Sequence, residues 1–280
     1  MIRNILRRLR RLYVHTIWFL QFIRCKCLKR ANNQLTEIKI KDLGRVTILA
    51  PHADDEWVGC YSILTKMQDN LRVVYFNLYG DNHESNNIKT RNAEILASSS
   101  LHGFTLLNNY NYDVDALLEE LSKCDTIFVP SPIDWHPEHR RVFSTLFAAY
   151  DRLSEEKRSQ KKIYLYMVSV PFAKEISLAC IPQSKMETIN KWKMFLKIYP
   201  SQSNMPGFRY VLNNRLYSLN GSYSSEAFWH ADYKCILEIY HHISDKSVEM
   251  QLSSLKQAIN NIDKIHLLAN KIIIWKKRIF

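Results

Sequence analysis

The sequence predicts an α/β fold organised on a mostly parallel sheet. Three observations lead there. Short β-branched runs recur between residues 45 and 168, helical stretches separate them, and the two terminal segments read as helix. Strands joined through helices form parallel pairs, and right-handed crossovers put helices on both faces of the sheet. Functional loops then collect beyond the carboxyl ends of the strands.

Residues 1–40 form a basic amphipathic segment. Ile2, Ile5, Leu6, Leu9, Leu12, Tyr13, Ile17, Leu20 and Ile23 fall near helical spacing, with arginines between them. The apolar stretch 12–23 is interrupted by His15, Thr16 and Gln21, and it is shorter than the ~20 residues that span a bilayer. A helix lying in the membrane interface fits these features, so residues 1–30 carry the expectation of a peripheral membrane contact. A helix packed on the main domain, or on a protein partner, is the alternative. Cys25 and Cys27 beside it are candidates for a lipid modification.

Residues 41–230 carry the alternation. A buried strand is expected over 45–51, then a helix to about residue 67, a strand over 71–78, and a helix over 86–102 closed by Gly103. A strand over 104–108, a helix over 114–123, a β-branched strand over 125–130, a helix over 136–151 and a strand over 163–168 follow. This is the pattern of a Rossmann-like sheet flanked by helices. Residues 184–199 read as helix, 201–223 as irregular, and the extension 231–280 as two further helices.

Length and composition suit one large α/β domain with terminal helical additions. Hydrophobic residues at 46% with 6 Gly and 8 Pro exclude a disordered or low-complexity chain. The net charge of +12 is concentrated at the ends, in Arg3, Arg7, Arg8, Arg10 and Arg11 and again in Lys271, Lys276, Lys277 and Arg278. Charge so placed suggests an anionic surface rather than a basic groove, and no nucleic-acid-binding signature accompanies it. The six cysteines lack the spacing of a disulfide scaffold or a structural zinc site, which suits reduced thiols in a cytoplasmic setting. The expected location is cytoplasmic, peripheral on the inner face of the membrane.

Two loops carry the chemistry. The first strand is followed by His52-Ala53-Asp54-Asp55-Glu56, and the strand over 125–130 by Asp134-Trp135-His136-Pro137-Glu138-His139. Histidines and carboxylates converging at strand ends make a zinc site, because a catalytic zinc takes three nitrogen or oxygen ligands and keeps one position open. One of His136 and His139 could bind the ion while the other faces substrate. Taken singly, a His-x-x-His is more often a helix face, and an acidic run more often a helix N-terminus.

Together the two motifs resemble the PIG-L/LmbE family of N-acetylglucosaminyl deacetylases. Arg91-Asn92-Ala93-Glu94 leading to Leu101-His102-Gly103, Lys193 through Tyr199-Pro200-Ser201-Gln202, and Glu226-Ala227-Phe228 are similar to further family segments. The resemblance covers about residues 45–230 and implies Zn2+ held by His52, Asp55 and His139. It also implies Asp54 as the general base toward the attacking water, and His136 as oxyanion stabiliser or proton donor to the leaving amine. Arg91 would touch substrate, with a helix-surface ion pair to Glu94 as the alternative. Three positions depart from the family pattern: Ala53 where proline is commoner, Glu138 where aspartate is commoner, and Tyr61-Ser62 where small glycines often stand.

The implied activity is removal of the N-acetyl group from a GlcNAc-type amino-sugar, with a lipid-linked sugar as one form of the substrate. The alternatives are a soluble small GlcNAc conjugate as substrate, or a catalytically silent membrane-associated scaffold. His83 and the loop over 81–87 are further candidates for contact with substrate.

Overall fold

A computed structural model describes residues 2–25, 35–67, 69–76, 86–109, 111–173, 176–202, 205–219 and 221–273. His83, Cys27, nearly all of the 81–87 loop and the basic residues at 276–278 lie outside the described residues. In chain order the first elements are α1 (Ile2–Cys25), β1 (Leu35–Glu37), β2 (Val46–Ala50), α2 (Asp55–Lys66), β3 (Leu71–Tyr75), α3 (Asn86–His102), β4 (Thr105–Asn108), α4 (Val114–Lys123) and β5 (Thr126–Pro130). They continue with α5 (Pro137–Asp151), α6 (Glu155–Ser159), β6 (Lys162–Tyr166), β7 (Leu178–Gln183), α7 (Lys185–Ile198), α8 (Gly207–Leu216), β8 (Ser224–His230), α9 (Tyr233–Ile243), α10 (Lys246–Ser254) and α11 (Ile262–Ile273).

Eight strands form one sheet in the order β1-β7-β8-β6-β5-β2-β3-β4. All neighbours are parallel except at β8, which runs antiparallel to both β6 and β7. The chain steps outward from β2 through β3 to β4, then returns to place β5 on the other side of β2. The strand order therefore reverses between β2 and β5, and an open α/β sheet forms its crevice at such a point.

β2 and β5 are buried throughout, as central parallel strands covered on both faces must be. Their side chains alternate between two apolar layers. Leu49, Ile127 and Val129 join one with Phe143 and Leu146, while Val46, Ile48, Ala50 and Phe128 join the other with Trp57 and Ile63. Gly59 lets α2 cross the sheet closely, since a Cβ there would meet the Tyr166 ring at 2.1 Å. Gly103, at φ +72°, ends α3 in the left-handed conformation that glycine adopts without strain.

The expected elements over 45–168 are found to within a few residues, with the short α6, capped by Ser154, as an unexpected addition. Beyond it the structure differs. Residues 201–223 contain α8, which the sequence reads as irregular. It begins Pro-Gly and owes its stability to packing between α1 and β8, with Leu212, Asn213 and Leu216 buried. β7 and β8 were hidden by Pro182 and by the polar start Ser224-Ser225-Glu226. Among the described residues the segment after 231 forms three α-helices where two are expected, because Asp245 caps a new start by accepting from Ser247 N. Among the described residues no helix is long and apolar enough to cross a membrane.

Candidate functional site

The site lies where β2 and β5 end. The chain leaves β2 through a tight turn and enters α2 at Asp55, and it leaves β5 through the loop that enters α5 at Pro137. His136 is the N-cap of α5, with Pro137 in the first turn where its missing N–H is harmless. Asp54, the N-cap of α2, has φ 155° and ψ −20°, a backbone conformation that non-glycine residues rarely adopt. Such strain costs about 1–3 kcal/mol and persists where surrounding contacts hold it. Here they do. The Asp54 N–H donates to Glu56 Oε2 at 3.1 Å, and its carboxylate receives Arg91.

His52, His136 and His139 each turn a ring nitrogen to within 4.8 Å of the others. One Asp55 oxygen stands between two of them, 2.8 Å from His52 Nδ1 and 3.5 Å from His139 Nε2. The six residues to which the family resemblance gives a role thus meet in one place, with Arg91 arriving from α3 to pair with Asp54, while His83 lies outside the described residues. His139 is fully buried, whereas His136 is the most exposed of the three imidazoles. His136 Nδ1 also lies 2.5 Å from Glu138 Oε2.

The donor set fits a divalent ion. His52 Nε2 is buried and has no hydrogen-bond partner among the described residues, an arrangement that is costly unless something fills the place of the partner. Burial drives His52 down to about 4, so its ring is neutral and able to act as a ligand. Burial also lowers His139, but Asp134 and Asp55 outweigh it and push the imidazole up to about 10. Burial raises Asp55, yet His52 and His139 hold it well below the usual carboxylate range. A cation between these groups would replace the charge that the His139 proton supplies. Imidazole with carboxylate is a donor combination that suits zinc.

Behind Asp54 lies a second buried group of charges. Arg91 Nη2 donates to Asp54 Oδ1 at 2.6 Å, and Nη1 is 3.5 Å from Glu94 Oε2. Glu94 in turn accepts from the backbone N–H and the hydroxyl of Ser201, both at 2.7 Å. Burial pushes Asp54 up to about 7 despite the Arg91 guanidinium, which pulls the other way. Glu56 accepts from the Tyr199 hydroxyl and from Ser98 at 3.3 Å, and burial raises it to about 8. Tyr199 and Ser201 thereby tie the segment after α7 to the site.

Two features escaped sequence reasoning. Asp134 stands within the quoted motif without a role, yet it accepts from His136 N at 3.0 Å and Ser169 N at 3.1 Å and lies 3.3 Å from His139 Nδ1. It therefore stands behind the His139 ring as its buried ion-pair partner. Its position two residues before a helix-capping histidine was the available signal. The other is Lys191, whose Nζ donates to Glu226 Oε1 at 2.6 Å and to Val58 O at 2.7 Å. Glu226 Oε2 accepts from Ser62 N at 2.8 Å, and Gln183 donates to Ser62 Oγ at 2.9 Å. Ser62, a departure from the family pattern, is thus part of a buried polar network under α2.

No protein-family model matches the chain, and no curated protein sequence matches it. Solved structures do. The chain is similar to the conserved protein TT1542 from Thermus thermophilus, with 19% identity, TM-score 0.52, and coverage of 67% of this chain and 94% of that one. The A40926 pseudoaglycone deacetylase Dbv21 aligns at 16% identity and TM-score 0.49, over 69% of this chain and 99% of its own. A triple mutant of the teicoplanin-pathway deacetylase Orf2 aligns at 14% identity and TM-score 0.44, over 66% and 97%. The chain has the α/β fold of TT1542, which is the fold class its sequence predicts.

Proposed function

We propose that this protein is a metal-dependent hydrolase that removes the N-acetyl group from a GlcNAc-type amino-sugar. The observation that carries the proposal is the convergence of His52, Asp55, His136 and His139 beside the buried Asp54, at the point where strand order reverses. An imidazole cluster with one neutral, unpartnered ring nitrogen, beside a carboxylate whose pKa lies near neutrality, suits metal-assisted hydrolysis of an unactivated amide. The PIG-L/LmbE-like motifs supply the substrate class.

In this proposal His52, Asp55 and His139 hold the ion, zinc being the best match to the donor set. When bound, the ion supplies Lewis acidity, which polarises the amide carbonyl and lowers the pKa of a coordinated water. Asp54 accepts a proton from the attacking water. Arg91 fixes the Asp54 carboxylate while compensating its charge, which supports a positioning part for Arg91 alongside the substrate contact that the resemblance implies. His136 stabilises the oxyanion or protonates the departing nitrogen, and Asp134 holds the His139 ring. The carbon–nitrogen bond then breaks to give acetate and the free amine.

The test is acetate release from N-acetylglucosaminides, both soluble glycosides and polyprenyl-linked forms, by zinc-loaded protein. Release that requires the ion and Asp54 supports the proposal. Zinc-loaded, folded protein that releases no acetate from either class would reject it.

A further inference from the structure

Helix α1 is docked along one side only. Its 24 residues include six arginines and no carboxylate. On the inner side Trp18 and Cys25 are buried in the core, and Trp18 Nε1 donates to Asn260 Oδ1 at 3.3 Å. Gln21 donates to Asn260 O at 2.7 Å and accepts from Ile262 N at 2.8 Å, and Arg24 pairs with Asp263. The helix is therefore held by hydrogen bonds as well as by packing against α8.

The other side is apolar and open. Leu6, Leu9, Leu12, Tyr13, Leu20 and Ile23 are between 51% and 65% exposed. At 100° per residue they occupy an arc of about 120° centred opposite Trp18, interrupted by the exposed Thr16 and flanked at its two edges by Arg8 and Arg10. Water-soluble surfaces seldom leave such a stripe uncovered.

We infer that this stripe docks on an anionic lipid bilayer, with α1 lying in the interface while its Trp18 side stays fastened to the domain. Charge selects this occupant. The flanking arginines meet lipid phosphates as the apolar side chains enter the acyl boundary. A second copy docked stripe to stripe would set the bordering Arg8 and Arg10 of one helix against those of the other, with no carboxylate in the helix to offset them. The helix is not apolar enough to cross the bilayer, so it lies along the surface. The inference is independent of the proposed activity.

The test uses the full chain and sedimentation with vesicles of phosphatidylcholine alone or mixed with phosphatidylglycerol. Wild-type protein should co-sediment with the mixed vesicles and far less with the neutral ones. Replacing Leu6, Leu9, Leu12 and Leu20 together by serine, all on the open side, should weaken partitioning by at least about a hundredfold. The unfolding temperature should hold, since the Trp18 side is untouched. Arg8→Glu with Arg10→Glu, which keeps the apolar stripe, should remove the preference for the anionic vesicles. Wild-type protein that stays in the supernatant would overturn the inference, as would equal binding by the serine variant. Lipid-free dimers of the wild type that the serine substitutions abolish would name a second copy as the occupant and also overturn it.

Discussion

Replacing Asp54 by asparagine separates base catalysis from the geometry that supports it. The substituted side chain keeps an oxygen where Arg91 Nη2 donates at 2.6 Å, and it is isosteric with the carboxylate it replaces. What disappears is the proton-accepting carboxylate. A positioned general base contributes about 10²–10⁴-fold, so kcat should fall by that factor, equivalent to roughly 3–5.5 kcal/mol of barrier. Metal content should not change, because Asp54 is not one of the three proposed ligands and its Oδ1 is taken by Arg91. Arg91 keeps an oxygen acceptor at position 54 and Glu94 at 3.5 Å, and burial no longer opposes a charge on residue 54, so the variant should stay folded with little change in stability. The assay is single-substrate kinetics of acetate release on zinc-loaded protein, with metal analysis and urea unfolding on the same preparation. An Asp54→Asn enzyme within tenfold of wild-type kcat would refute the assignment of Asp54 as base.

Other expectations follow from the same contacts. His136→Ala should lower kcat by about 10²–10³-fold, read in the acetate assay, and near wild-type turnover would remove His136 from the reaction. Zinc uptake should release at least one proton per ion at pH 6, because His139, pushed up to about 10, must give up its proton while His52, near 4, is already neutral. Apparent affinity should accordingly rise with pH until His139 is deprotonated; calorimetry in buffers of differing protonation enthalpy measures the release, and zero protons would contradict it. Lys191→Ala leaves the buried Glu226 charge with Ser62 N as its remaining described partner and should cost about 3–5 kcal/mol in urea unfolding. A loss below about 1 kcal/mol would show that the pair carries little of the stability.

Local signals explain why the central fold was readable. The strand at Val46–Ala50 is a buried apolar run, α3 ends at a glycine in the left-handed conformation, and α4 starts at Asp113, which accepts from Asp115 N and Ala116 N. Each element declares itself within a few residues. The unread parts depend on distant ones. α8 forms because α1 and β8 cover it, and β8 runs antiparallel only because β6 and β7 are there to receive it. The site divides in the same way. Its imidazoles and carboxylates stand in two short motifs that sequence displays directly. The pairing of Arg91 with Asp54, of Tyr199 with Glu56 and of Lys191 with Glu226 joins side chains 35 to 143 positions apart, and no local pattern encodes it. For α1 the sequence left an interfacial helix and a packed helix as alternatives. The structure shows the packed face, through Trp18 and Gln21, and an open apolar face opposite it.

The proposed activity rests on a catalytic divalent ion held by His52, Asp55 and His139, with His136 beside it. The most direct measurement is anomalous diffraction at the zinc edge from crystals of the zinc-loaded protein, with His52→Ala and His139→Ala crystals beside them. One strong peak per chain is expected, at about 2.0–2.1 Å from ring nitrogens of His52 and His139, and it should be lost in both variants. A wild-type crystal with no peak between these residues, or a peak that survives both substitutions, would contradict it.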